Sequence, residues 1–201
     1  EREGQLKDKT LVDAKKWFTQ FATWMTTHPY GIGERDNNNN HSTWWGAQVA
    51  AYGQFIGDEK LIDIAREQFK RQLAIQLAED GSFPDELSRT RPYHYTLYNL
   101  DAWCMFALQV SSKSDNYGQY RSKNGSIRQA IDFLIPYIKG QKQWTLLTDL
   151  EFKFEPEVSD YSLYAYWLYD HQEYYDLWKN SKHEGNSLNA DILVFDKLLH
   201  P

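Results

Sequence analysis

Two short segments carry side chains that could do chemistry together. The first runs Asn37-Asn38-Asn39-Asn40-His41-Ser42-Thr43-Trp44-Trp45, and the second Glu86-Leu87-Ser88-Arg89-Thr90-Arg91-Pro92-Tyr93-His94-Tyr95. They supply amide donors, imidazoles, guanidinium groups and phenols, a set suited to gripping a carboxylate and moving a proton beside it. Each residue also has a plainer reading. An Asn run is more often a polar loop, His41 could cap a helix beginning at Ser42, and His94 could sit at a core edge. Arg89 and Arg91 could pair with Asp85 and Glu86. Tyr93 rivals Tyr95, since the chain has 14 tyrosines and most must pack. Trp44, Trp45 and Tyr98 could stack on sugar rings or belong to a core.

The elements that must hold these groups are helices. Leu11, Ala14, Trp17, Phe18, Phe21, Trp24 and Met25 recur at helical spacing, so a first helix runs from Thr10 to about Thr27. His28-Pro29-Tyr30-Gly31 should stop it, and the polar stretch from Gly33 to Asn40 reads as an exposed loop. A second helix covers Ser42 to Ile56; Gly57 breaks it and Asp58 caps a third, carried by Leu61, Ile64, Ala65, Phe69, Leu73 and Leu77. Asp80-Gly81-Ser82 is a turn signal, and Pro92 suits the first turn of a fourth helix reaching Val110, with Leu97, Leu100, Met105 and Ala107 inward. Residues 111 to 124 read as a solvated loop, Ser126 and Gln129 as a capping box, and Ile127 to Ile138 as a fifth helix with Pro136 as its kink. Tyr161 to Tyr169 and Ala190 to Leu199 look helical, with a short turn near Tyr174 to Lys179, and Thr145 to Phe154 could hold a short extended piece. The expected fold is all-α, built of helical hairpins forming all or part of an α/α toroid. Twelve helices of ~15 residues with loops of ~5 would need about 240 residues, so an incomplete ring is expected from 201.

With its motifs placed on hairpin ends, the chain resembles a known family. Asn-Asn-His-Ser-Thr-Trp at residues 39 to 44, then Asp80-Gly81-Ser82-Phe83-Pro84-Asp85-Glu86-Leu87-Ser88-Arg89-Thr90-Arg91 and His94-Tyr95, is similar to the alginate lyase superfamily of polysaccharide lyases with α/α-toroid folds. The likeness is best over residues 35 to 110. It implies β-elimination on a uronic-acid polysaccharide of alginate or glucuronan type. Asn40, His41 and Arg89 would surround the substrate carboxylate, and Tyr95 would transfer protons. One branch of the family has an extra residue between its Arg and its Tyr, which leaves Arg91 as the alternative carboxylate ligand. Arg91, Trp44 and His94 are the accompanying substrate-binding candidates. The resemblance further implies a periplasmic or secreted enzyme and an anionic polysaccharide as partner.

Elementary chemistry agrees with that implication. Removing the C5 proton of a uronate builds negative charge onto its carboxylate, so donors placed there favour the transition state over the ground state. A free phenol has a pKa near ~10, and lowering it to ~7 requires roughly 4 kcal/mol of preference for the phenolate. No metal or organic cofactor is required. The histidines at 28, 171, 183 and 200 show no zinc-ligand spacing, and Cys104 is the sole cysteine, flanked by apolar residues.

Composition narrows the classes. With 22 Lys and Arg against 28 Asp and Glu the formal net charge is −6, which disfavours nonspecific nucleic-acid binding. No apolar stretch approaches the roughly 18 to 20 residues that span a bilayer. Residues 1 to 201 are expected to form a single domain, or the C-terminal portion of a longer catalytic domain whose N-terminal part would then be its partner. Two other functions compete: a noncatalytic carbohydrate-binding or structural helical domain, and a glycoside hydrolase drawing two carboxyls from Asp85, Glu86, Asp101, Asp149 and Glu151.

Overall fold

A computed structural model of the chain describes residues 8–146 and 158–181. Helix α1 (Asp8–Thr27) ends where expected, but Pro29 opens a new helix rather than a turn. Proline suits a first helical turn because its missing N–H has no partner to lose there. His28 completes the start, its Nδ1 accepting the Tyr30 N–H at 3.2 Å. The resulting α2 (Pro29–Arg35) claims the first part of the segment read as an exposed loop. Gly31 lets it fold back on α1, since a Cβ there would lie 2.3 Å from the Met25 carbonyl oxygen.

Asn39 caps α3 (Asn40–Ile56) by accepting the His41 N–H, so the helix starts two residues earlier than the sequence suggests. Gly57 ends it at φ 79°, and the Asp58 carboxylate accepts from Lys60 and Leu61 to open α4 (Glu59–Gln76). A single turn, α5 (Pro84–Leu87), leads into α6 (Pro92–Val110). A 3-10 turn at Tyr117–Gln119 precedes α7 (Ile127–Ile138), and α8 (Tyr161–Tyr169) and α9 (Gln172–Asn180) follow. The segment Tyr174 to Lys179 is thus the body of a helix, not a short turn. Among the described residues there is no strand, and the all-α reading holds. The helix expected at Ala190 to Leu199 lies outside the described residues, as does most of Thr145 to Phe154.

Helices α3 and α6 pack along their length, with α4 and α8 on either flank. Gly46 permits the approach: a Cβ there would meet the Phe106 ring at 2.2 Å. At the centre, Phe69 meets Trp103, Phe106 and Tyr117 edge-on, each with ring centroids 5.2 Å away. Tyr117 and Gly118 are buried, so the stretch 111–124 is not wholly solvated. Cys104 is buried, and desolvation pushes its thiol well above the ordinary value.

Three further expectations are corrected. Ile64 is 43% exposed and Met105 only partly buried, so neither is a full member of its stripe. Trp17 and Trp24 of α1 are 55% and 41% exposed, because the packed face of α1 is the one carrying Ala22 and Met25. The Ser126 side chain makes no capping bond, and Gln129 instead donates to the Glu79 carbonyl across the chain.

Candidate active site

The segment from Arg35 to Asn40 brings the Asn-His motif to one end of α3, and α4 holds it there. Gln68, Gln72 and Gln76 recur every four residues on one face of α4 and all are buried. Gln68 donates to the Arg35 carbonyl (2.7 Å) and to Ser42 Oγ (2.8 Å), and Gln72 also reaches the Arg35 carbonyl. Gln76 donates to the Asn39 carbonyl at 3.1 Å. Its own Oε1 accepts from Asn99 Nδ2 at 3.0 Å and lies 3.1 Å from Thr43 Oγ1. A turn this close to a core would otherwise strand carbonyls away from water, and the glutamines satisfy them.

Asn40, the first residue of α3, is 4% exposed and sits on a carboxylate. Its main-chain N–H donates to Glu86 Oε1 at 2.6 Å, and its Nδ2 lies 2.9 and 3.1 Å from the two Glu86 oxygens. Glu86 is fully buried; desolvation pushes its carboxyl above the ordinary value, while the Asn40 donors and the charges of Arg89 and His41 pull it back. His41, one residue on, is exposed and makes a 2.6 Å contact through Nδ1 with Glu34 of α2. That contact occupies one ring nitrogen and leaves Nε2 as the one able to meet a ligand.

The second motif meets the first from the other side. Arg89 follows α5, its N–H donating to the Glu86 carbonyl at 3.1 Å. The Arg89 guanidinium carbon lies 4.0 Å from the centroid of the Tyr95 ring, a cation–π contact. A cavity of about 640 Å³ is lined by Asn40, His41, Arg89 and Tyr95 together with Trp44, whose ring is 5.2 Å from that of Tyr98. Two motifs some fifty residues apart in sequence therefore share one cleft. Tyr95 is partly exposed there and not sealed in a dry interior, whereas its rival Tyr93 is 2% exposed and packs on Trp144.

Arg91 and His94 are not in that cavity. They line an adjoining one of about 410 Å³ that shares Tyr95 and Tyr98 with the first and also touches Asp101 and Ser159. Asp101 accepts from Ser159 Oγ (2.8 Å) and the Tyr161 N–H (2.6 Å), tying α6 to the start of α8; burial pushes its carboxyl up to about 7. Of the carboxyls considered for hydrolysis, Glu86 is thus committed to Asn40 and Asp101 to the α8 start, while Asp149 and Glu151 lie outside the described residues. Sequence reasoning missed Glu34, the wall residues Phe21, Trp24 and Gln48, and the α4 glutamines. The glutamines had a signal: three amides at four-residue spacing inside an apolar stripe.

Comparison with known proteins bears on the family and the fold. No curated protein matches the chain. Among solved structures, an alginate lyase from Bacteroides ovatus is similar, with 27% identity and a TM-score of 0.74 over 89% of this chain. The chain spans about half the length of that protein, 48% of it, and shares its all-helical architecture, of the α/α-toroid type. Residues 1–144, which include both motifs and every lining residue of the larger cavity, match the family described as alginate lyase. The chain belongs to the alginate lyase family.

Proposed function

We propose that this protein cleaves a uronic-acid-containing polysaccharide, of alginate or glucuronan type, by β-elimination. The observation that carries the reading is the convergence of Asn40, His41, Arg89 and Tyr95 on one cavity. A uronate seated there places its carboxylate among the Asn40 amide, the His41 imidazole and the Arg89 guanidinium. Those donors stabilise the charge that spreads onto the carboxylate as the C5 proton leaves. The Tyr95 oxygen takes that proton, the C4–O4 bond breaks, and a C4=C5 double bond forms. Tyr95, now protonated, returns the proton to O4 when base and leaving group lie on one face of the sugar. Arg89 lies against the Tyr95 ring and so also meets the charge that passes through the phenol.

Arg91 and His94, which line the adjoining cavity beyond the shared Tyr95 and Tyr98 walls, would bind the next acidic sugar of the chain. Trp44 and Tyr98 offer ring faces for stacking. A polymeric substrate of this kind fits a periplasmic or secreted site of action. Incubation with polyuronates should raise ultraviolet absorbance as the conjugated product accumulates; no rise with any polyuronate would refute the reading. Tyr95→Phe should lower turnover by about 10³-fold or more while oligouronate binding persists, measured by calorimetry. Full activity in that variant would move the base elsewhere.

A further inference from the structure

Glu86 does not line the cavity, yet it is fully buried directly beneath Asn40 and receives both of that residue's donors. We propose that Glu86 is the positioning residue of the site: its carboxylate selects and locks one orientation of the Asn40 amide, and acts on the substrate only through it. This rests on the lyase reading above for its catalytic consequence, though not for its geometry.

An Asn side chain can turn over about its last torsion and exchange its oxygen for its nitrogen with little change of shape. An ionised carboxylate can only accept, so it admits the NH2 side of the amide and rejects the carbonyl side. Nδ2 reaches both Glu86 oxygens, which one hydrogen directed between them satisfies. The second Nδ2 hydrogen then points away from Glu86 as a donor of fixed direction. The main-chain N–H of Asn40, bound to the same Oε1 at 2.6 Å, fixes the first turn of α3 against α5. Helix start and side-chain amide are thus held by one group. Arg89 and His41 are close enough to act electrostatically on the same carboxyl, so it also ties the two motifs to one charge.

Glutamine is the informative replacement because it keeps volume and one acceptor. The Oε1 position would still receive the Asn40 N–H, but the other position would become an NH2 facing Nδ2 at 3.1 Å, donor against donor. The Asn40 amide would then turn over. Glu86→Gln should therefore fold normally yet lower kcat about 100-fold, the usual cost of a misplaced group, while KM changes less than about threefold. Combined with Asn40→Ala, it should cause no further loss, because the residue it acts through is gone. Additive losses in the double variant, or an unchanged kcat in the single one, would overturn the proposal.

A second measurement needs neither turnover nor a variant. In nitrogen-15-labelled wild-type protein, the Asn40 side-chain amide hydrogens should exchange with water at least about tenfold more slowly than those of exposed Asn38. Equal exchange rates would overturn the proposal. A wild-type protein that cleaves no polyuronate refutes the lyase reading instead, and the exchange measurement then decides the role of Glu86 by itself.

Discussion

The cleft contains the same pairing twice, a site residue set against a carboxylate, in two very different media. Asn40 meets Glu86 where the first is 4% exposed and the second not at all, whereas His41 meets Glu34 with about half of each side chain exposed. The separations are equally short, 2.6 Å in both cases. Distance alone therefore says little about what each pair does. Beneath Asn40 the carboxylate has lost its hydration, and the amide donors are its replacement. Beside His41 water competes for both partners, so the contact orients a ring without holding the fold together.

The largest difference should appear when each carboxylate is erased. Glu86→Leu leaves the two Asn40 donors buried and unpaired, and should destabilise the protein by about 2 to 5 kcal/mol in denaturant unfolding. A loss below ~1 kcal/mol would show that the buried pair matters no more than the exposed one. Next is Gln76→Leu, which removes the acceptor of Asn99 and the donor to the Asn39 carbonyl. It should cost about 2 to 3 kcal/mol through those stranded groups, and a neutral result would mean the α4 glutamines are dispensable.

Asp101 sharpens the contrast because it is desolvated and also feels the negative charge of Asp160. Its carboxyl binds its proton more tightly folded, at about 7, than unfolded, near the ordinary 3.8. Its contribution to stability is thus complete at pH below the unfolded value and is lost as pH rises through about 7. Unfolding free energy should fall between about pH 4 and 7 and should fall less in Asp101→Asn, whose carbonyl can still accept from Ser159 and Tyr161. Parallel pH curves for the two proteins would place the effect elsewhere. Smallest of all, Glu34→Gln should change stability by no more than about 0.5 kcal/mol, and salt should weaken even that. A loss comparable to that of Glu86→Leu would erase the distinction between the two media.

How far the sequence foretold this molecule depended on where each signal was stored. Helices α3, α4, α6 and α7 were legible because apolar spacing, Gly57, Asp58 and Pro92 all act within a few residues. Helix α2 was not, since Pro29-Tyr30-Gly31 also spells a turn, and what decides between them is the close seat of Gly31 on α1. The four residues that meet in the cleft were read from motif resemblance and local chemistry. The motif alone does not choose between Arg89 and Arg91, because only the path of α5 into α6 decides which one turns toward Tyr95. For Glu86 the sequence offers only an ion-pair partner of the nearby arginines or one of several candidate hydrolytic carboxyls. Its burial under a residue 46 positions earlier is a fact of packing that no window of sequence contains.

The row of glutamines on α4 carries one more implication. A polyuronate arrives as a polyelectrolyte wrapped in counterions, and the ionic strength near it differs from that of the surrounding medium. The buried struts that hold the cleft's floor to α4 are neutral amides, whose bonds neither titrate nor feel that ionic cloud, while the Arg71–Asp36 ion pair beside them is exposed and is the strut that salt weakens. The floor should keep one shape while the salt around its ligand rises and falls.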